Sequence, residues 1–311
     1  MFTFAFSVTA PIFVMVVLGL LLKKYHVIND EFIGGASKLV FNIGLPVMLF
    51  TSTATRDFSQ LVNLSHVLAM VLTVTIIFLL SSITARWHLA DKQDHGVFVQ
   101  GAFRGNLMIV GLAFCANAYG EEGLAIAALP VAILIVVHNL LSVYTLTRSL
   151  NSEGHSWQQT LTAFVKNPLI IGIAAGLCAN LLHLRLPDLV LETSRYLGQM
   201  TLLLALLCIG GALDLTQLHR GKSAAVIAGI WKLVLSPLVL LAIALPLNIR
   251  NTELGVLFLL AACPSATAGF VLVRAMGGNG ELAAKIVVLT TIASLFTVTG
   301  GLLLVKIWGL I

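Results

Sequence analysis

The feature that most restricts the fold is an apolar stretch long enough to lie in a membrane yet poorly suited to stay helical. RGNLMIVGLAFCANAYG, from Arg104 to Gly120, places Gly105, Asn106 and Gly111 where an unbroken helix prefers Ala or Leu. A helix that breaks there leaves backbone N–H and C=O groups loose at mid-bilayer, which is tolerated only against protein or a wet cavity. CPSATAGFVLVRAMGG, from Cys263 to Gly278, poses the same problem, and its Gly269 stands 158 positions after Gly111. Two interrupted spans at corresponding places in two halves point to the binding site of a transporter.

Composition supports reading these stretches as membrane spans. Of 311 residues, 59% are hydrophobic and 10% charged, against about 25% charged in an ordinary soluble domain. The expectation is an all-α polytopic membrane protein. Windows of about 20 apolar residues predict ten spans, near 5–23, 33–55, 64–86, 96–119, 123–147, 167–186, 190–213, 223–247, 252–276 and 282–307. The first follows no basic n-region and precedes no small-residue cleavage site, so it is expected to be a retained span and not a signal peptide. The longest hydrophilic stretch, RSLNSEGHSWQQT from Arg148, falls between spans five and six. The organisation predicted is a first five-helix repeat over 1–150, a cytoplasmic linker over 151–166 and a second repeat over 167–311.

The halves repeat each other. At an offset of 157, Pro11 matches Pro168, Gly19 matches Gly176, Ser37 matches Ser194, and DFSQL from Asp57 matches DLTQL from Asp214. At 158, Gly120 matches Gly278, and Leu124 with Ala125 match Leu282 with Ala283. Five spans per half is an odd number, so the second half enters the membrane upside down, the symmetry of alternating access. The odd-numbered loops carry Lys23, Lys24, Arg86, Lys92, Arg148, Lys166, Arg220 and Lys222, and the even-numbered loops only Arg56, Arg185 and Arg250. The positive-inside bias puts the odd loops in the cytoplasm and both termini outside. The net charge of +5 therefore speaks to orientation and not to nucleic acid.

In an inverted repeat, the broken spans, the fourth and ninth, cross at mid-membrane. A half-helix N-terminus there offers unpaired N–H groups and about half a positive charge, an anion site without a full cation. Asn106 adds an amide, Pro264 breaks the second helix, and Ser265 and Thr267 supply hydroxyls. Gly105, Gly111 and Ala266 let backbone and ligand approach closely, although each glycine taken alone is equally explained by helix packing. Candidate charge or proton partners are Arg104, Arg274 and His138, read against snorkelling for the arginines and an interhelical hydrogen bond for the histidine. Lys38, Lys232 and Lys285 are expected to snorkel or to form structural pairs, and Asp57 and Asp214 to cap equivalent span ends. Cys115, Cys178, Cys208 and Cys263 lie in apolar stretches without CxxC or Cys/His spacing and read as buried thiols.

KLVFNIGLPVMLF from Lys38, the Asn106-to-Gly111 spacing followed by AYGEEG, WKLVLSPLVLL from Trp231 and CPSATAGFVLVRAMGG resemble, in this order, the auxin efflux carrier family and its bacterial members. The resemblance spans nearly the whole chain. It implies ten spans in two inverted five-helix repeats, usually in a homodimer, with spans 1, 2, 6 and 7 as scaffold and the others as a moving transport domain. It also implies a carboxylate substrate beside the crossing, contacted by an asparagine at the position of Asn106, with Asn42 in the first of these motifs joining the site. Plant members carry a proline in each crossover where Ala113 and Gly269 stand here, and a long central loop that this chain lacks. Bacterial members imply small dicarboxylates such as malate or malonate.

The function expected is secondary transport of a small organic anion across the plasma membrane by an elevator-like motion, with no cofactor, metal or enzymatic step. No GxxxxGK[ST] motif supplies ATP drive. A sodium-coupled bile-acid-type symporter shares the crossed architecture but predicts carboxylate ligands for Na⁺ around the crossing, and neither break contains an acidic residue. An intramembrane hydrolase is suggested by Glu121 and Glu122 and opposed by the lack of HExxH or HxxxH. A sensor shares the binding site without the flux.

Overall fold

The computed structural model describes residues 2–55, 64–150, 166, 168–184, 186–212 and 223–311. Asp57, Asp214, Arg185 and the linker up to residue 165 lie outside these, so the capping expected of the two aspartates falls outside the described residues. Among the described residues the chain is helical throughout, with no strand. The order begins with α1 (Phe2–Lys24), α2 (Asp30–Leu39), α3 (Leu45–Ala54), α4 (Leu64–His88), α5 (Lys92–Phe103) and α6 (Leu112–Leu150). It continues with α7 (Pro168–Leu181), α8 (Asp188–Ala212), α9 (Ser223–Ile230), α10 (Ser236–Ala244), α11 (Asn251–Ala262), α12 (Thr267–Ala275) and α13 (Gly280–Ile307). Among the described residues five helical segments are long and apolar enough to cross a membrane: Leu64–His88, Leu107–Leu150, Asp188–Ala212, Ser223–Ala244 and Gly280–Ile307.

Short polar turns cap the helices in the way their sequences dictate. Asn29 accepts from the Phe32 N–H at 2.8 Å, Asp91 from the Gln93 N–H at 2.9 Å and Asn279 from the Leu282 N–H at 3.0 Å. Inside α6, Gly120 takes φ 58° and ψ −141°, a conformation only glycine adopts cheaply, so the long helix bends there and Glu121 and Glu122 open its second arm.

Among the described residues three wide π-helical turns interrupt the ladders, at Val40–Gly44, Leu107–Gly111 and Trp231–Leu235. Two have a visible cause. Pro46 and Pro237 have no N–H to donate, and each ring crowds the carbonyl four residues back. Just before each proline the ladder slips by one residue: the N–H of Leu45 reaches the Val40 carbonyl and that of Ser236 the Trp231 carbonyl.

The helices α5 and α11 are short. Each has 12 residues, about 18 Å at 1.5 Å per residue, against about 30 Å of hydrocarbon core. Neither is long enough to cross a membrane alone. Around them, α1 packs on α8 and α3 on α7. These contacts are backbone-close: a Cβ on Gly19 would strike the Leu207 carbonyl, and one on Gly176 would come 2.6 Å from the Phe50 carbonyl oxygen.

Candidate functional site at the crossing of two broken helices

The chain leaves α5 in extended geometry at Arg104 (φ −79°, ψ 98°) and leaves α11 in extended geometry at Cys263 (φ −62°, ψ 149°). Pro264 imposes the second break by disfavouring helix at the residue before it. The two breaks then pair as a single antiparallel bridge between Gly105 and Ser265. The Asn106 N–H donates to the Pro264 carbonyl at 2.7 Å and the Ala266 N–H to the Arg104 carbonyl at 3.0 Å. Each interruption satisfies backbone groups that the other leaves loose, as mid-membrane backbone requires.

Gly105 is necessary for this approach. A Cβ there would lie 2.7 Å from Cys263 Sγ and 3.3 Å from Lys232 Nζ. Lys232 itself is 2% exposed, and its Nζ donates to the Ala261 carbonyl at 2.6 Å. It does not snorkel, and none of the ion pairs among the described residues includes it. Lys285 behaves as expected of a structural pair, joined to Glu281 at 2.6 Å.

Beside the crossing opens a cavity of about 570 Å³, within the range of small-molecule sites. One wall comes from Ser37, Lys38 and Asn42 near the first π turn and from Ala205 to Ala212 on α8. The opposite wall comes from the breaks and α6: Arg104, Gly105, Asn106, His138, Asn139, Ala266, Thr267 and Ala268. Two cationic side chains, Arg104 and Lys38, line this space, and among the described residues no carboxylate does. The starts of Leu107–Gly111 and of α12 also border it, so two helix N-termini with unpaired N–H groups face one cavity.

Arg104 is half-committed. Its Nη2 donates to Asn139 Oδ1 at 2.8 Å, whereas Nη1 is buried without a hydrogen-bond partner. His138 packs its ring on Phe103 with centroids 5.7 Å apart, and its Nε2 is likewise buried and unpartnered. A buried guanidinium nitrogen with no acceptor is a costly arrangement unless a ligand supplies one.

Of the residues singled out from sequence, Asn42, Arg104, Gly105, Asn106, His138, Ala266 and Thr267 meet at this cavity. Pro264, Ser265 and Gly111 border it but do not line it. The Ser265 hydroxyl donates to the Gly101 carbonyl at 2.6 Å, and the Gly111 N–H donates to the Asn106 carbonyl at 2.9 Å. The side chain of Arg274 lies outside the described residues. Lys38, Ser37 and Asn139 are lining residues not singled out as such. Asn139 had a signal, its place beside His138 in an apolar run; Lys38 had none beyond its nearness to Asn42. Cys115, Cys208 and Cys263 are buried as expected, but Cys178 is exposed, because its face of α7 points away from the bundle. Among the described residues no cluster of His, Cys, Asp or Glu is placed to hold a metal ion.

Residues 4–301 match the family model described as "Membrane transport protein". The chain belongs to that family. This is the auxin efflux carrier group that the motifs resemble, and the chain is a multi-pass membrane protein. Relatives of this family include an uncharacterized transporter of Methanocaldococcus jannaschii, 25% identical over 97% of both chains. A provisionally named malonate transporter of Rhizobium meliloti is 27% identical over 95% of this chain and 94% of its own. An uncharacterized transporter of Methanothermobacter thermautotrophicus is 25% identical over 91% of this chain and 93% of its own. All three are named as transporters.

Proposed function

We propose that this membrane transport protein is a secondary carrier of small carboxylates, dicarboxylates such as malonate or malate above all. The observation that carries the reading is the cavity beside the crossing, lined by Arg104 and Lys38, faced by two helix N-termini and, among the described residues, free of carboxylates. Every charged or dipolar element there favours an anion. The buried, unpartnered Nη1 of Arg104 is a ready donor for a carboxylate oxygen, and Asn106 and Thr267 add neutral donors. The name of the Rhizobium meliloti relative agrees with this chemistry.

The transport cycle proposed is an elevator-like alternating access of two inverted five-helix repeats, residues 1–150 and 167–311 around a cytoplasmic linker, in a homodimer of the plasma membrane with both termini outside. Several observations support the repeat. Each of the ten expected spans falls on a helix or an interrupted helix. The packing pairs Gly19 with Leu207 and Gly176 with Phe50, and both members shift by the same 157 positions. The lining agrees with the motion: residues from α2, the first π turn and α8 contribute part of it, and the crossing and α6 contribute the rest. A sodium-coupled symporter would need acidic ligands, and among the described residues none lines this cavity.

The test is counterflow of labelled malonate in proteoliposomes holding the full chain, in Na⁺ and in Na⁺-free buffer. Saturable counterflow in both buffers, weakened in Asn106→Ala and weakened further in Arg104→Ala, is expected. Silence across a panel of mono- and dicarboxylates, or variants that match the wild type, overturns the assignment.

A further inference from the structure

Anion carriage accounts for Arg104 but not for Lys232. Lys232 does not line the cavity. It lies behind the crossing, 2% exposed, with its ammonium on the carbonyl of Ala261, the next-to-last residue of α11. The hydroxyl of Ser236, one helical turn further on, donates to the same oxygen at 3.2 Å. The last carbonyls of a half-helix are unpaired and carry about half a negative charge. In carriers built from crossed half-helices such carbonyl ends coordinate the coupling cation.

We infer that the Lys232 ammonium is a resident cation of the crossing, held by the carbonyl end of α11 in the position of an inorganic coupling ion, so that carriage runs without one. The inference rests on the reading of the chain as a carrier. Three further features fit it. Lys232 is buried within the π turn Trp231–Leu235, and π turns gather at functional sites. Gly105 leaves room for the ammonium, since a Cβ there would crowd both its Cε and its Nζ. The charge is also single: Val74 stands 158 positions earlier, and the carbonyl end of α5 is met instead by the neutral hydroxyl of Ser265. A tethered cation travels with the helices in both directions, so no ion is consumed per cycle.

The experiment compares purified full-length wild type, Lys232→Ala and Lys232→Met. Lys232→Ala lacks what propylammonium can replace, and Lys232→Met keeps the volume without the charge. Thermal unfolding is followed against propylammonium, Na⁺ and the bulky cation N-methylglucamine. Malonate counterflow is measured on the same preparations. Propylammonium or Na⁺ is expected to raise the Tm of Lys232→Ala above its value in N-methylglucamine, as a site-bound ligand does, and to leave the wild type and Lys232→Met unmoved. Counterflow is expected to fall about tenfold in both variants and to recover only in Lys232→Ala with the small cations. A folded Lys232→Met with wild-type counterflow overturns the inference, as does a Lys232→Ala whose melting ignores both cations. If the wild type carries no carboxylate at all, the carrier reading fails, while the melting series still decides whether Lys232 marks a cation site.

Discussion

At the first break the carbonyl end of α5 meets the neutral hydroxyl of Ser265, whereas at the second the carbonyl end of α11 meets the ammonium of Lys232. The backbones of the two breaks are near copies, each exchanging one N–H···O=C bond with the other. Their side chains are not. The first break carries Arg104 and Asn106 toward the cavity; the second contributes only Ala266, Thr267 and Ala268. Backbone symmetry builds the crossing, and asymmetric charge gives it a cationic front beside the cavity and a lysine ammonium at its back. Glycine and proline sit where backbone must approach backbone, and the polar residues sit where they are needed once.

Replacing the front charge tests this division most severely. Arg104→Ala removes a charge-assisted donor worth about 2–3 kcal/mol, so malonate affinity is expected to fall about 30- to 100-fold. Arg104→Lys, which keeps the charge and loses the fork, should fall between the two, and an unchanged affinity in Arg104→Ala would detach the front from anion binding. Gly105→Ala tests the backbone symmetry. The added Cβ meets Cys263 Sγ at 2.7 Å, and overpacking of this kind costs about 1–3 kcal/mol. The expected readout is a lowered Tm together with weakened counterflow; a wild-type Tm would mean the breaks do not need to touch.

Asn106→Ala deletes one neutral donor and should weaken malonate binding about fivefold, at about 1 kcal/mol for such a hydrogen bond. Ser265→Ala gives the smallest effect on the ligand. Its hydroxyl serves the Gly101 carbonyl, so stability should drop by about 1 kcal/mol with malonate affinity within about twofold of the wild type. A large loss of affinity without loss of stability would place Ser265 at the front and remove the asymmetry.

Much of this arrangement was legible in the chain because it is set locally. The break at Cys263 follows from Pro264, and the bend inside α6 follows from Gly120, each a property of one residue and its neighbours. Asn106 is legible as a cavity residue from its place in the first break. Ser265 drew attention through the same reasoning, yet its hydroxyl turned to a carbonyl 164 positions away. Lys232 reads as a lysine that snorkels or forms a structural pair, because nothing nearby in the sequence names its acceptor. Its acceptor lies 29 positions later, at an oxygen exposed only because α11 ends where it does.

By itself the sequence determined a membrane-embedded, all-helical chain with two interruptions, because apolar length, glycine and proline act within a few residues of where they stand. Tertiary structure alone decided which side chains meet. A π turn takes up one extra residue and rotates everything beyond it by about 100°, so the face of a helix after Val40–Gly44 or Trp231–Leu235 is not the face that counting predicts. Arg104 finds Asn139 across 35 positions, and Lys38 shares a cavity with Thr267. Such meetings depend on how whole helices pack, and no local pattern carries that information.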